Sequence, residues 1–181
     1  VFLSVFVSIL SLSVAMPVFA LDDISRVSLA YDGSEGDNYS FNSAEAVSAD
    51  GRYVVFSSLA SNLVVGDSNS NFDVFRYDTQ TGDVELVSVN SSEVQDATGY
   101  SSFASISDDG RYVVFRSSAD DLVSPQTATG IFHIYLRDIT LGTTTLVSVD
   151  ALGNEGDDDS LVPTISDDGS TIAFISESSN L

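Results

Sequence analysis

Apolar and polar residues alternate in short runs along this chain, and no segment keeps the 3.6-residue spacing of an amphipathic helix. The runs are rich in valine, isoleucine, phenylalanine and tyrosine, and residues that favour turns bound them. The pattern predicts an all-β protein. The predicted strands recur in one order, and we number them as the first to fourth strands of a repeat: residues 44–48, 52–58, 72–78 and 84–89, then 104–107, 111–117, 132–138 and 144–149, then 164–166 and 171–176.

The repeat is marked most clearly by the turn between its first and second strands. Gly51, Gly110 and Gly169 follow one another at intervals of 59 residues, and an aspartate precedes each glycine. An Asp-Gly pair between two apolar runs is a strong signal for a β-hairpin. A fixed period of this length indicates an array of similar units.

The second strand is apolar on both faces. Tyr53 and Val55 share one face, and Val54 and Phe56 share the other, since successive side chains of a strand point to opposite sides. A sheet that is apolar on both faces must be covered on both faces. Four-stranded antiparallel sheets arranged radially satisfy this requirement, so we predict a β-propeller of four-stranded blades.

The fourth and first strands have different patterns. Apolar Val87 and Val89 alternate with Ser88, which predicts a half-exposed fourth strand. The first strand consists of small residues around one branched residue, as in Ala46 and Val47, which suits a crowded position where several sheets meet.

The phase of the repeat indicates an incomplete arc of about two and a half blades. An isolated fourth strand is predicted at residues 25–30, of which residues 26–30 match residues 86–90, and we predict that it is the outer strand that closes a ring. Two complete blades, residues 44–90 and 104–150, follow it, and a partial third blade spans residues 163–181. The remainder of its own propeller is thus an expected partner of this fragment.

Residues 1–20 form an apolar segment that ends in Val18-Phe-Ala20, the small-residue pattern of a signal-peptidase site. We predict a signal peptide, shortened at its N-terminus because the usual basic residues before the apolar core are missing. A buried strand and an uncleaved anchor are the alternatives. The segment is too short for a stable membrane span, so the mature protein, residues 21–181, is expected in the periplasm, on the cell surface or in the medium. The chain contains no cysteine for disulfide bonds.

The formal net charge of −21 excludes nucleic acid and anionic lipid as expected partners, because such a surface repels them. Aspartate outnumbers glutamate and is a turn residue, so the negative charge lies mainly in the connections. The charge either serves solubility or binds divalent cations at selected loops.

Hairpin geometry divides the connections between the two ends of each blade. The short turns, between strands one and two and between strands three and four, lie at one end. The long connections lie at the other end, which we call the long-loop face: residues 31–43, 59–71, 91–103, 119–131 and 151–163. Because binding residues concentrate in loops, a protein or glycan ligand is expected on this face.

Two segments of the long-loop face are candidate calcium sites. The first has oxygen-bearing side chains at alternate positions, and such a spacing can wrap a hard cation. It resembles the beginning of a D-x-N-x-N calcium loop, but Phe72 replaces the turn glycine and no bidentate glutamate follows. The alternative is a turn rich in Asp and Asn that leads into a strand. The candidate ligands are Asp67, Asn69, Asn71 and Asp73.

The second candidate segment contains the carboxylates Glu155, Asp157, Asp158 and Asp159, and its Glu-Gly-Asp motif also occurs at residues 35–37. Adjacent carboxylates repel one another, and a bound cation would relieve the repulsion. The alternative is a solvated loop. Calcium is the one cofactor that these patterns suggest.

No catalytic constellation is evident, so we predict a protein that is not an enzyme. His133 is the single histidine, and it occupies a strand position where the other complete blade has Asp73. We interpret it as a residue of the blade surface rather than a general base. The chain has no Gly-x-Ser-x-Gly turn, no cysteine nucleophile and no glycine-rich phosphate loop.

The segment Ile106-Ser-Asp-Asp-Gly-Arg-Tyr-Val-Val-Phe115 is followed by Phe132-His-Ile-Tyr-Leu-Arg-Asp138 and a Thr-Leu-Gly-Thr turn. Together they resemble the TolB-type, WD-repeat-like propeller repeat of secreted bacterial proteins. The resemblance covers residues 25–181 and implies the propeller fold. Such proteins include periplasmic scaffolds, propeller domains of peptidases and large secreted proteins, so the resemblance does not specify a function. The Trp-Asp pair of true WD repeats is missing, since the chain has no tryptophan.

These features favour a binding or scaffold module that acts through the acidic long-loop face, with calcium as a candidate cofactor. The alternative is the propeller domain of a larger enzyme, of the peptidase-gating or lyase type, whose catalytic part lies outside this sequence.

Overall fold

The computed structural model describes residues 24–43, 45–95 and 98–181, together with the backbone of Phe6–Ser8. Within these ranges the chain forms strands, turns and loops, and it has no helix long and apolar enough to cross a membrane. The strands of the described part are β1 (Phe6–Ser8), β2 (Ile24–Arg26), β3 (Ser40–Phe41), β4 (Tyr53–Ser58), β5 (Asp73–Asp78), β6 (Val84–Leu86), β7 (Ser101–Ile106), β8 (Tyr112–Ser117), β9 (His133–Asp138), β10 (Thr143–Leu146), β11 (Ser160–Ile165) and β12 (Ile172–Ser176).

Three successive sheets correspond to the predicted blades. Strands β3 to β6 form the first four-stranded sheet and strands β7 to β10 form the second, and each strand is antiparallel to the next. Strands β11 and β12 pair in the same way. We call these sheets blades one, two and three. The all-β fold with four-stranded antiparallel blades is confirmed.

The blades pack face to face through apolar side chains. Val55 of β4 and Phe115 of β8 belong to one buried cluster between blades one and two. Val54 and Phe56 of β4 belong to a second cluster, to which Val27 of the segment after β2 contributes. The second strand is therefore covered on both faces, as its pattern predicts, and this stacking is that of an incomplete β-propeller. Each such side chain contributes roughly 1.5–3 kcal/mol through its removal from water.

The tips of the Asp-Gly hairpins join consecutive blades. The backbone N–H of Ala49 donates to the carbonyl oxygen of Asp108 at 3.1 Å, and the N–H of Asp108 donates to that of Asp167 at 2.9 Å. The glycines of these turns have a left-handed backbone, with φ of 72° at Gly51 and 73° at Gly110, which glycine adopts without steric cost. These contacts place the first strands together on the inner side of the arc.

The first strands begin earlier than the sequence pattern predicts. Strand β7 starts at Ser101 and β11 starts at Ser160, whereas the predicted runs start at residues 104 and 164. In blade one, β3 covers Ser40–Phe41, and the predicted run at residues 44–48 pairs with β4 only through the isolated bridge of Val47 with Val54. The register of the β7–β8 pair shifts between Ser102 and Ser105, which marks a β-bulge. A bulge interrupts the alternation of side chains, so the residues before it do not show the period of a strand.

The fourth strands end earlier than predicted, at Leu86 and Leu146. Strand β6 is partly exposed at each residue, but the alternation at residues 87–89 does not report exposure, because these residues follow the strand and Ser88 is 1 % exposed. Its hydroxyl accepts a hydrogen bond from the N–H of Val74 and donates one to Asp73. A serine whose hydrogen bonds are satisfied can be buried at little cost, so its polarity does not reveal its position.

The segments that follow β2, β6 and β10 share one local structure. Isolated bridges close them: Leu29 with Glu35, Val89 with Gln95 and Val149 with Glu155. Strand β2 pairs with β1, which falls within the predicted signal peptide, and the other residues of that segment lie outside the described ranges. The signal peptide and the ring-closing role of residues 25–30 stay predictions.

Candidate ligand-binding site

The long connections lie together at one end of the blades, as hairpin geometry predicts. At this end Ser58 pairs with Asp73 in blade one, and Ser117 pairs with His133 in blade two. Six aromatic side chains and one arginine gather there, and we call them the aromatic band: Tyr39, Phe41, Phe72, Tyr100, Phe103, Phe132 and Arg116.

The rings of the band contact one another mainly edge to face. The ring centroids of Phe41 and Phe72 are 5.3 Å apart with planes at 75°, and those of Phe41 and Phe103 are 5.9 Å apart at 68°. Tyr39 and Tyr100 extend the band at its rim, where they are 36 % and 49 % exposed. Such ring pairs contribute about 0.5–1.5 kcal/mol beyond burial, so the band is a well-packed apolar surface.

Arg116 lies between two rings of the band. Its guanidinium carbon is 4.3 Å from the ring centroid of Phe103 and 4.6 Å from that of Phe132. Its Nε donates to the hydroxyl of Ser102, and burial lowers its pKa. Every other arginine of the chain forms an ion pair with a carboxylate of the described residues, whereas Arg116 forms none there. The band therefore holds the guanidinium cation of Arg116 through cation–π contacts.

A small cavity of about 180 Å³ lies beside the band, where the first strands of three blades meet. Glu45 accepts hydrogen bonds there from Ser105 at 3.3 Å and from Thr164, so one carboxylate joins all three blades. Phe103 and Val162 line the cavity with φ of 55° and 51°, left-handed values that are rare for bulky and branched residues. Strain of this kind persists only where the surroundings enforce it, and it clusters at functional positions.

The first calcium candidate is partly assembled. Gln95 Nε2 donates to Asp67 at 2.9 Å and to Asp73 at 2.8 Å, so both carboxylates approach one point. Asn69 hydrogen-bonds the side chain of Asp73, and its Oδ1 accepts the N–H of Asn71. The structure thus brings Asp67, Asn69 and Asp73 together around an amide nitrogen. Asn71 joins the group only through its backbone.

Burial raises the pKa of Asp73 to about 7. The residue is 2 % exposed, and the charge of Asp67 adds to the rise, while hydrogen bonds from Ser88, Asn69 and Gln95 oppose it. A buried carboxyl next to a second carboxylate favours a bound proton or a bound cation.

The carboxylates of the second calcium candidate accept hydrogen bonds from different parts of the chain. Glu155 Oε2 accepts the N–H of Ala128 at 3.0 Å, and Asp159 accepts the N–H of Phe132 at 2.8 Å. Asp158 accepts the N–H of Asp159. Among the described residues, no three His, Asp or Glu side chains converge closely enough to hold one metal ion. Calcium binding at the two segments stays a prediction.

The repeated Glu-Gly-Asp motif docks the connection that enters a blade onto the connection between its second and third strands. The carboxylate of Asp157 accepts the N–H and the hydroxyl of Ser179 at 2.7 Å each, and Asp37 contacts Ser61 in the same way. The central glycine permits this close approach, since a Cβ on Gly36 would lie 3.0 Å from a backbone oxygen. These contacts account for the recurrence of the motif.

His133 is buried, with 0 % exposure, so its interpretation as a surface residue is wrong. Its Nδ1 lies 3.3 Å from the hydroxyl of Ser148, and its Nε2 lies 3.6 Å from Glu155 Oε2. Burial lowers the pKa of His133, although the charges of Glu155 and Asp159 oppose the shift. A serine, a histidine and a glutamate thus stand in line, as in some hydrolases. Ser148 is fully buried and its oxygen accepts the N–H of Ile134, so this geometry gives a substrate no access.

Asp73 and His133 occupy equivalent positions at the start of the third strand in blades one and two. The side chain that each of them contacts also differs between the blades. Asp73 accepts from the amide of Gln95, whereas His133 faces the carboxylate of Glu155. A serine completes each group. In both blades one acidic side chain and one nitrogen-bearing side chain fix the connection after the fourth strand to the third strand.

No family model matches this chain, and no curated protein matches it. Two solved structures with similar backbones are the protein assigned as TolB from Agrobacterium tumefaciens and TolB from Acinetobacter baumannii. The first is 18 % identical, with a TM-score of 0.48, and the match covers 75 % of this chain and 38 % of that chain. The second is 15 % identical, with a TM-score of 0.47, and the match covers 82 % and 28 %. The chain thus spans less than half the length of either protein, and its fold follows from the blades themselves.

Sequence reasoning missed the aromatic band. Phe72 and Phe132 both stand directly before a third strand, and Tyr39 and Tyr100 both stand directly before a first strand. The recurrence of aromatic residues in connections, where polar residues prevail, is the signal that could have revealed it. The same observation explains why Phe72 departs from the calcium-loop pattern, because its ring belongs to the band.

Proposed function

We propose that this protein is an exported, non-catalytic β-propeller module that binds a polypeptide through the aromatic band on its long-loop face. The single observation that carries the proposal is the partial exposure of clustered rings at one end of the blades. Exposed apolar clusters mark interaction sites, and tyrosine is enriched among the residues that dominate binding energy. Since the band extends across blades one and two, the propeller fold itself positions it.

Charge indicates the chemistry of the partner. The chain has a net charge of −21, Glu45 lines the cavity next to Phe103, and the charge of Asp159 acts on Arg116. A segment with lysine or arginine side chains would meet both complementary charge and aromatic faces. Arg116 is an internal example of a cation held in this way. An acidic segment would be repelled.

The packing of the rings favours a polypeptide over a glycan at the band. A sugar ring stacks on an open aromatic face, whereas Phe41 and Phe72 are engaged in edge-to-face contacts with neighbouring rings. The remaining rim, with Tyr39 and Tyr100, suits apolar and cationic side chains.

Two finer parts of the proposal have separate support. Export to the periplasm, the cell surface or the medium rests on the apolar residues 1–20. Assistance by calcium rests on Asp67, Asn69 and Asp73, which share one region of the long-loop face. The enzyme-linked alternative finds no supporting geometry in the described part of the chain.

The proposal is tested by fluorescence with the full chain and a short peptide of lysine, leucine and one tryptophan. Because the chain has no tryptophan, emission excited at long wavelength, where tyrosine does not absorb, reports only the peptide. We expect a saturable blue shift that weakens as salt increases, and no shift for a peptide with glutamate in place of lysine.

Variants at the exposed rim decide whether the band is responsible. Tyr39→Ala and Tyr100→Ala should each weaken binding of the peptide at least fivefold, since truncation of a tyrosine that contacts the partner directly costs about 1 kcal/mol or more. Tyr31→Ala removes a tyrosine outside the band, and Leu141→Ala removes an exposed residue of a short turn at the other end of blade two. Both controls should bind normally. Equal binding by all four variants would refute the proposal.

A further inference from the structure

A groove of about 980 Å³ runs between blades one and two, outside the aromatic band. One wall is the connection after β6, residues 90–92, and the other is formed by β10 and residues 121–127. Val123, Leu146 and Val149, which are partly exposed, supply its apolar surface. Its volume lies in the range of sites for small molecules, and both blades that form it are complete four-stranded sheets.

The polar lining of the groove is mostly neutral, and much of it is not used within the protein. No lysine or arginine lines the groove, and its carboxylates are Asp121 and Glu155. Several lining side chains present hydroxyl or amide atoms that make no hydrogen bond within the described residues: Asn90 Nδ2, Ser92 Oγ, Ser124 Oγ, the amide of Gln126, Thr145 Oγ1 and Asn154 Oδ1. Such a mixture of donors and acceptors matches a ligand that carries both.

The equivalent groove of blade one has a different chemistry. It measures about 600 Å³ and is lined by Asp67, Glu85, Glu93 and Arg137. The guanidinium of Arg137 forms an ion pair with Glu93, so charged groups satisfy one another across this groove. The neutral lining is therefore a property of blade two and not of the repeat.

We propose that the groove between blades one and two binds a neutral saccharide. The sugar hydroxyls exchange hydrogen bonds with the amide and hydroxyl groups of the walls, and Glu155 accepts from them. The C–H face of the sugar lies on Val123, Leu146 and Val149. Anionic sugars are excluded, since no cationic side chain of the described residues lines the groove and two carboxylates do.

Calorimetric titration of the full chain with maltose, cellobiose, lactose and the anionic sialyllactose tests the proposal. We expect saturable binding of at least one neutral disaccharide at millimolar concentration and none of sialyllactose. Asn154→Ala and Thr145→Ala should each weaken that disaccharide about fivefold, the loss expected for one hydrogen bond. Val65→Ala, at an exposed residue of the blade-one groove, should leave the affinity unchanged.

The site is distinguished from the aromatic band in the same titrations. Tyr100→Ala should leave saccharide binding unchanged, and loss of binding in that variant would place the sugar on the band and refute the groove. Absence of saturable binding for all three neutral sugars, or equal losses in Val65→Ala and Asn154→Ala, would also overturn the proposal.

Discussion

The carboxylate of Asp37 accepts two hydrogen bonds from Ser61, one from the backbone N–H at 2.9 Å and one from the hydroxyl at 2.8 Å. In return, the side chain of Asn62 accepts the N–H of Asp37 and donates to the carbonyl oxygen of Glu35. The same four interactions recur at Asp157 in blade three. They tie two long connections of one blade together, so the shape of the long-loop face depends on them.

Asp37→Ala should therefore lower the free energy of unfolding by about 1 kcal/mol, because it removes the acceptor of two hydrogen bonds between connections. Asp37→Asn keeps one acceptor oxygen and should have a smaller effect. Asp32→Ala is the matched control, since Asp32 accepts hydrogen bonds only from Ser34 in its own turn. Urea denaturation measures the three values. If Asp32→Ala lowers the free energy of unfolding as much as Asp37→Ala does, the hydrogen bonds between Asp37 and Ser61 add no specific stability.

Gly99 and Gly156 should respond differently to alanine. A Cβ on Gly99 would lie 2.3 Å from Cα and 2.4 Å from the backbone N of Ala119, so the backbone must move. A Cβ on Gly156 would first meet the hydroxyl of Ser178, at 2.5 Å, and the Cβ of Ser178 lies at 3.4 Å. We expect Gly99→Ala to destabilise the chain by about 1–3 kcal/mol or more, as overpacking does.

Second-site variants separate the two cases. Ser178→Ala should restore most of the stability lost in Gly156→Ala, because it removes the atom in closest conflict. Ala119→Gly should restore little in Gly99→Ala, because the conflicting backbone atoms remain. Unfolding midpoints of the four combinations decide the point, and rescue of Gly99→Ala by Ala119→Gly would contradict the described packing.

The blades could be predicted from sequence because their signals are local. The Asp-Gly turn at Gly51 fixes a hairpin by its own conformation, and the pattern from Tyr53 to Phe56 reports burial on both faces of one strand. Where the local signal is interrupted, as at the bulge near Phe103, the predicted strand boundary is wrong.

The binding surfaces could not be predicted in the same way, because they join residues of separate connections. Phe72 contacts Tyr100, and Asp73 is held by Gln95, although each pair is far apart in sequence. In the sequence, blade two has His133 where blade one has the candidate ligand Asp73, and no compensating residue is evident. The structure shows that Glu155 lies beside the imidazole of His133. Only the three-dimensional pairing shows that each blade keeps one acid and one nitrogen-bearing group.

Asp73 should make the protein less stable as pH rises. An unfolded aspartate loses its proton near pH 3.8, whereas burial keeps the folded carboxyl protonated to about pH 7. The folded state therefore binds more protons between these values, and stability present below pH 3.8 is lost as pH rises towards 7. At 1.36 kcal/mol per pKa unit the loss reaches about 4 kcal/mol. Asp73→Asn should remove this contribution to the pH dependence of the free energy of unfolding, measured by urea denaturation from pH 4 to 8. An unchanged pH dependence would contradict the prediction.

His133 should act in the opposite direction. Burial lowers its pKa below the unfolded value of 6.5, so the unfolded state binds more protons as pH falls below 6.5. Stability present above pH 6.5 is therefore lost as pH falls through the folded pKa. His133→Asn should remove this loss and keep the opposite loss that Asp73 causes as pH rises from 3.8 towards 7. The pKa values of Asp78 and Asp109 are lowered, so the stability that these residues contribute is lost only below about pH 4. Their effect therefore lies at lower pH than the onset of the loss caused by His133.

Calcium should raise the melting temperature of the full chain relative to the same chain in chelator, and it should act through Asp67 and Asp73. Burial and the charge of Asp67 both disfavour an ionised Asp73, and a cation would offset these effects. Asp67→Ala should remove the calcium-dependent rise, whereas Asp158→Ala should keep it, because Asp158 accepts only a local backbone N–H. Loss of the rise in Asp158→Ala alone would place the ion at the second segment. Equal melting temperatures in calcium and chelator would remove both candidate sites, and Gln95 would then be the sole partner that bridges Asp67 and Asp73.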